Sequence, residues 1–172
     1  MHYSKPAYHW TVTPHYYGYR VRTLPINVVK HIFGGVTYYY YDNIWYRPYN
    51  GYYIISRPPF GVSLAASLIA DAAWTAVKLS NTSTAANELR LSRSYAAANS
   101  EYYYLDGVFY SMGTDGQYYV IVPPAGALVE SLPEDFDTVI LNGKEYFKVD
   151  NTVYQMTIAE GKPYFEVLGQ MN

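Results

Sequence analysis

Three aspartates recur at the same place in three similar segments of the chain, and carboxylates are the first side chains to weigh for chemistry. Asp42, Asp106 and Asp150 each occupy the first position of a two-residue turn between aromatic or β-branched runs. Two carboxylates gathered from separate segments would suit the hydrolysis of a glycosidic bond. The backbone gives a simpler explanation, because Asp tolerates the positive φ of a tight hairpin turn. We therefore interpret the three aspartates as turn residues and assign no catalytic residue.

Other reactive groups are sparse in the sequence. His9 and His15 lie close together near the start of the chain, but their spacing matches no zinc pattern and no carboxylate supports it. The chain has no cysteine, no glycine-rich phosphate loop and no nucleophile elbow. We expect no metal and no cofactor. The sequence favours a protein that is not an enzyme, with a hydrolase of cell-wall or other glycans kept as an alternative.

Aromatic rings are the most promising binding groups. The chain contains 23 tyrosines, whose rings give rigid contact area and whose hydroxyls form hydrogen bonds. The candidate ligand-binding residues are Tyr38, Tyr40, Trp45, Tyr102, Tyr104 and Phe109. Two structural alternatives remain open. The rings can pair across neighbouring strands, as Tyr40 with Trp45, or be covered by another part of the chain.

The tyrosines belong to a β unit that we recognise three times. The segments 38–46, 102–110 and 146–154 align without a gap, and each contains a two-residue turn. Each continues through a glycine-containing turn into a further apolar strand, at 52–56, 117–122 and 163–167. The pattern predicts a three-stranded meander in every unit.

The hairpin turns set which side chains share a face. Residues that flank a two-residue turn pair with each other, and faces alternate along each strand. The predicted core face carries Tyr39, Tyr41, Ile44 and Tyr46 and the equivalent positions of the other two units. The candidate ligand-binding rings fall on the opposite face, which we predict to be the wetter one.

A segment of different composition separates the first two units. Between residues 62 and 99, polar residues recur at helical spacing along one narrow stripe from Ser63 to Lys78, and a second helical pattern runs from Thr84 to Ala98. The expected organisation is an N-terminal arm at 1–18, a first β repeat at 19–61, a helical hairpin at 62–99, and β repeats at 100–131 and 132–172. The predicted fold class is mainly β, or α+β.

Composition excludes some partners. Twelve basic residues against fourteen acidic ones give no electrostatic footprint for nucleic acid. The most apolar stretch, from Pro58 to Ala70, is shorter than a bilayer span requires, so we expect no membrane span. Residues 2–5 include no apolar run, and we expect this chain to carry no leader peptide.

The repeated text resembles a known family. The pattern Tyr-Tyr-Tyr-x-Asp-Gly-x-Phe-Tyr, the Pro-Pro-x-Gly sequences at 58–61 and 123–126 and the Leu-Pro lead-ins are similar to those of an uncharacterised family of exported Gram-negative bacterial proteins with tandem tyrosine-rich repeats. The resemblance implies small SH3-like β-meander or barrel modules and a periplasmic or cell-envelope location. It brings no activity and no site residue.

Together these features predict a non-catalytic cell-envelope protein whose β modules bind a partner through aromatic patches. The partner would be a glycan, a peptidoglycan fragment or an envelope protein. A second hypothesis is a structural protein in which tyrosine-rich strands assemble edge to edge.

Overall fold

The computed structural model describes residues 10–11, 17–64, 75–79, 89–97 and 101–171, and these residues form strands, turns and loops without a helix. Accordingly, this part of the chain contains no helix with the length and hydropathy of a membrane span. In chain order the strands are β1 (Trp10–Thr11), β2 (Arg20–Val21), β3 (Val29–Phe33), β4 (Val36–Tyr41), β5 (Ile44–Tyr49), β6 (Tyr52–Ser56), β7 (Ser63–Leu64), β8 (Thr75–Ala76), β9 (Lys78–Leu79), β10 (Tyr102–Leu105), β11 (Val108–Met112), β12 (Tyr118–Ile121), β13 (Ala127–Val129), β14 (Leu132–Pro133), β15 (Asp137–Leu141), β16 (Lys144–Val149), β17 (Thr152–Ala159) and β18 (Lys162–Gln170).

Three larger sheets contain most of these strands. The first sheet has the order β2-β6-β5-β4-β3, the second β7-β12-β11-β10-β8, and the third β15-β16-β17-β18-β13-β9. All of their pairs are antiparallel, whereas β1 and β14 form a short parallel pair. The mainly β fold class is confirmed.

The predicted hairpin turns and their registers are confirmed. Asp42, Asp106 and Asp150 have φ values of 51°, 54° and 52°, in the left-handed region that a tight turn requires. The residues on either side of each turn pair directly, for example Leu105 with Val108. The expected third strands are present as β6, β12 and β18.

The helical hairpin predicted at 62–99 is not supported. Its described parts contain the short strands β7, β8 and β9, which add to the edges of β12, β10 and β13. Residues 65–74, 80–88 and 98–100 lie outside the described part of the chain. Helical spacing of apolar residues says nothing about which sheet edges are available. Here, pairing with those edges satisfies backbone N–H and C=O groups on both partners.

The SH3-like modules are not supported either. In each larger sheet the strands lie side by side in a single row, with an end strand on either side. The third sheet also draws β9 from the predicted insert and β13 from the predicted second repeat. Neighbouring segments of the chain therefore complete one another's sheets.

The main core lies between the second and third sheets. Tyr104 and Phe109 pack in one cluster with Phe147, Tyr154 and Phe165. The outer face of the second sheet is covered as well, since Val108, Tyr110 and Val120 pack with Tyr17 and further tyrosines. On the outer face of the third sheet, Tyr146, Val153 and Leu168 pack against Leu89 and Leu91.

This packing corrects the face assignment of the second unit, whereas in the third unit the predicted core face, with Phe147 and Tyr154, does lie in the main core. The face that we predicted to be wetter is the one that the second sheet places against the third sheet, so Tyr104 and Phe109 are core residues. The alternative that another unit covers the rings applies here. The sequence shows the alternation of faces, but which face meets a neighbouring sheet is decided by tertiary packing.

The first sheet is less covered than the other two. Along β2 to β6 only Trp45, Tyr46 and Ser56 are buried. Val29 and Ile32 of β3 are 53% and 64% exposed. Aromatic rings that the other sheets enclose therefore remain partly in contact with water in this sheet.

Replacement of a core ring tests this assignment. Phe109→Ala should lower the free energy of unfolding by roughly 3–5 kcal/mol, because a fully buried ring leaves a cavity. Phe60→Ala is the matched control, since Phe60 is 50% exposed and its loss should cost less than about 1 kcal/mol. Urea unfolding of both variants measures the difference. Equal losses of unfolding free energy in the two variants would contradict the assignment of Phe109 to the core.

Candidate functional site

A buried arginine joins the first sheet to the hairpin turns of the other two. Arg57 directly follows β6 and is 7% exposed. Its Nε donates to the backbone oxygen of Asp106 at 2.9 Å. Its Nη1 and Nη2 donate to the two carboxylate oxygens of Asp135 at 3.0 and 2.6 Å. This two-pronged contact is the geometry in which a guanidinium binds a carboxylate most specifically.

Asp150 is the third acidic residue beside Arg57. We call Arg57, Asp106, Asp135 and Asp150 the Arg57 cluster. Asp150 Oδ2 lies 3.4 Å from Arg57 Nη1, and the ring of Tyr17 lies beneath the guanidinium with its centroid 4.6 Å from Cζ. Burial opposes the charged form of Arg57, but the carboxylates of Asp150 and Asp135 outweigh it and hold the arginine pKa above its usual value. Arg57 therefore stays charged inside the protein.

Asp106 is the member of the cluster whose carboxylate has no hydrogen-bond partner. Its residue is 5% exposed, and both carboxylate oxygens are buried without a hydrogen-bond partner. Burial raises the pKa of Asp106 from 3.8 to about 6; Arg57 lowers the pKa and Asp135 raises it further, both by smaller amounts. The next residue must be small, because a Cβ on Gly107 would lie 2.5 Å from Arg57 Nε.

The cluster bears on the hydrolase alternative. Asp135 and Asp150 approach the same Arg57 nitrogen, so two carboxylates do come close together, as that alternative requires. Both are bound to the guanidinium, however, and the oxygens of Asp106 are out of contact with solvent. The carboxylates of the Arg57 cluster therefore hold the sheets together, and the cluster contains no free pair of carboxylates that could act on a substrate.

The first three candidate ligand-binding residues lie together on one face of the first sheet. Trp45 is at the centre, with ring centroids of Tyr40 at 4.6 Å and Tyr38 at 6.1 Å. His31 and Phe33, from β3 on the far side of β4, approach Trp45 at 5.3 and 5.9 Å. We call these five side chains the aromatic face.

Burial within the aromatic face is uneven. Trp45 is buried, whereas the four rings around it are half-buried. Val29 and Val36, which pair with Tyr40 and Phe33 and so share this face, are 53% and 42% exposed. The result is a continuous apolar surface with hydroxyl and imidazole groups within it. Exposed apolar patches of this kind mark interaction sites.

The other three candidates are not brought to this face. Tyr102, Tyr104 and Phe109 lie in the second sheet and are 8%, 5% and 1% exposed. The Tyr104 hydroxyl donates to the backbone oxygen of Ser131 at 2.8 Å, and the Tyr102 hydroxyl accepts from the backbone N–H of Ala97 at 2.7 Å. These rings have structural partners within the chain.

Several residues of the site did not emerge from the sequence. His31 and Phe33 alternate on β3, and that spacing could have placed them beside Tyr38 once the Gly34-Gly35 turn was recognised. No comparable signal marks Arg57, because a buried arginine is recognisable only from the partners that tertiary packing supplies.

Metal chemistry finds no support in the described part of the chain. No three His, Asp or Glu side chains there are grouped as they would be around an ion. His9 and His15 lie outside the described residues.

Comparison with protein families matches residues 1–171 to DUF6515, a family of unknown function. Comparisons with curated proteins and with solved structures found no match. The family match spans every described strand, but it brings no activity, ligand or partner.

Replacement of Asp106 by Asn should stabilise the protein at neutral pH. The raised pKa of Asp106 means that the folded state retains a proton that the unfolded state has released. The resulting stability is fully present below pH 3.8 and is lost as pH rises through about 6. Asp106→Asn should therefore gain roughly 1–3 kcal/mol at pH 7.5 and almost nothing at pH 3.

Chemical unfolding at the two pH values measures this gain. Asp42→Asn is the matched control, because Asp42 holds the same turn position in the first hairpin and is exposed. It should change stability little at either pH. Equal destabilisation by Asp106→Asn at both values would show that the carboxylate has a partner that stabilises it.

Proposed function

Because the chain belongs to DUF6515, a family of unknown function, we propose a function from its structure: it is a non-catalytic protein of the bacterial cell envelope that binds a glycan through the aromatic face. The observation that carries the proposal is the half-buried ring cluster around Trp45. Equivalent rings in the second sheet are enclosed in the core, whereas this sheet leaves them in contact with solvent.

Sugar rings are the ligand class that suits this surface best. The C–H groups of a sugar stack on aromatic faces, and rigid Tyr and Trp side chains lose little entropy when they bind. The Tyr40 hydroxyl already donates to the side-chain oxygen of Asn43 at 2.8 Å, so its oxygen can still accept from a ligand. His31 adds a further polar group beside Trp45.

The proposed location rests on the sequence resemblance. The tyrosine-rich pattern is similar to that of exported Gram-negative proteins, and the near-balance of acidic and basic residues offers no attraction to nucleic acid. A cell envelope is rich in glycans. A location in the cell envelope would therefore bring the protein into contact with the proposed class of ligand.

A second candidate function is assembly through a sheet edge. Among the described strands, β3 ends the strand order of the first sheet, and its Ile32 is 64% exposed. An exposed edge of five residues can pair with a strand from another copy. This observation favours the structural alternative as the rival to glycan binding.

Glycan binding is tested by two neighbouring tyrosines. Isothermal titration with hexamers of β-1,4-linked glucose and of β-1,4-linked N-acetylglucosamine should detect binding to the unchanged protein. Tyr40→Ala should weaken it about tenfold, which corresponds to the loss of about 1.4 kcal/mol from a stacked ring.

Tyr41→Ala is the matched control. Tyr41 is the next residue of β4, is 41% exposed and points to the opposite face of the sheet. Its removal should leave hexamer affinity unchanged. Failure of both hexamers to bind, or equal loss in the two variants, would contradict the proposal.

The assembly alternative makes a separate prediction. If β3 pairs with another copy, light scattering should show a mass that rises above the 19.7 kDa monomer with concentration. Ile32→Lys should return the protein to the monomer, because a charged side chain disfavours edge pairing. A mass that stays monomeric at every concentration would argue against assembly.

A further inference from the structure

A cleft opens beside the aromatic face where the three sheets meet. Its volume is about 110 Å³, which is several water-sized positions. It therefore suits one end or side of a small molecule more than a whole polymer. The side chains that matter for its chemistry are Tyr38, Arg47, Phe60, Asp150, Asn151 and Gln170. We call it the inter-sheet cleft.

Arg47 brings an unused donor to the cleft. Its Nε is buried and has no hydrogen-bond partner, although the side chain as a whole is 35% exposed. Its Nη2 lies 3.7 Å from Asp150 Oδ1, which is an ion-pair distance but too long for a hydrogen bond. The donors that a ligand can reach are therefore the Nη groups of this partly exposed side chain.

Asp150 brings acceptor capacity to the same place. Its carboxylate is 44% exposed, and its other oxygen contacts Arg57 at the long distance of 3.4 Å. An ionised carboxylate has about four acceptor sites, so Asp150 can accept from a ligand without leaving Arg57. The cleft thus places a free donor and a free acceptor side by side.

The charges of the cleft favour a neutral ligand. The positive charges of Arg47 and Arg57 are matched by the carboxylates of Asp150 and Asp135. Tyr38 adds an uncharged hydroxyl, since partial burial raises its pKa above the usual value, with Arg47 lowering and Asp150 raising it by smaller amounts. Neither a strong anion nor a strong cation gains from this balance.

We infer that the inter-sheet cleft binds two neighbouring hydroxyl groups of a neutral sugar, one accepting from Arg47 and the other donating to Asp150. A hydroxyl both donates and accepts, so a vicinal pair fits an adjacent donor and acceptor. Tyr38 belongs to the aromatic face and also lines the cleft, which makes the two surfaces continuous. The inference rests on the proposed glycan-binding function and names the sugar groups that determine specificity.

The test uses the β-1,4-linked glucose hexamer and its periodate-oxidised form, in which the carbon–carbon bonds between vicinal hydroxyls are cleaved. Isothermal titration should show that Arg47→Lys and Asp150→Asn each weaken binding of the intact hexamer at least tenfold. The oxidised hexamer should bind at least tenfold more weakly than the intact one. Arg47→Lys keeps the charge and removes the planar pair of Nη donors.

Controls are available for both variants. Arg20→Lys replaces an exposed arginine that lies over Tyr52, and Asp42→Asn replaces the equivalent turn residue of the first hairpin. Both should leave hexamer affinity unchanged. If Asp150→Asn fails to fold because Arg57 loses a partner, Arg47→Lys carries the test. In the unchanged protein, the Arg47 Nε–H signal in a nitrogen–proton NMR spectrum should shift when the hexamer is added.

The outcomes separate the two proposals. If the hexamer binds and Tyr40→Ala weakens it, while Arg47→Lys and Asp150→Asn stay within twofold, the cleft assignment is overturned and the aromatic face remains. If the oxidised hexamer binds as well as the intact one, the vicinal hydroxyls are not what the cleft recognises. If no hexamer binds, glycan binding falls and the cleft assignment falls with it.

Discussion

The buried charge of Arg57 is the constraint on which the arrangement of the sheets depends. A guanidinium can remain inside a protein only when acceptors surround it. Those acceptors come from three separate places along the chain: the backbone at Asp106 and the carboxylates of Asp135 and Asp150. Satisfying one side chain therefore fixes how the end of the first sheet meets two hairpin turns. The inter-sheet cleft lies at that junction, so its shape follows from the same contacts.

One pattern of tyrosines serves two different purposes in this protein. In the second sheet, Tyr104 and Phe109 pack edge to face at 5.0 Å and are sealed by the third sheet. In the first sheet, Tyr40 and Trp45 make the equivalent cross-strand contact at 4.6 Å, but only Trp45 is fully enclosed. The rings around Trp45 act as a small core whose outer surface remains available. The cross-strand ring contact thus forms both in a covered sheet and in a partly open one.

Local features of the fold were predictable from the sequence, and contacts between sheets were not. Asp106-Gly107 fixes a turn, a register and two faces, because backbone conformation depends on neighbouring residues. The same residues could not reveal that Tyr104 faces another sheet, or that the apolar stretch around Ser63 and Thr75 adds strands to open edges. Of the candidate site, Tyr38, Tyr40 and Trp45 came from alternation along the strands. Arg57 did not, since its role exists only after distant turns have met.

The distance along the chain between Arg57 and its partners has a consequence for how the protein folds. The three hydrogen-bonded partners lie 49, 78 and 93 residues away. Hairpins close within a few residues and form early, whereas contacts over such separations must wait until long loops have closed. We therefore expect the Arg57 cluster to form late on the folding pathway. A chain in which this junction has not yet formed would leave the apolar faces of the core open to contact with other chains.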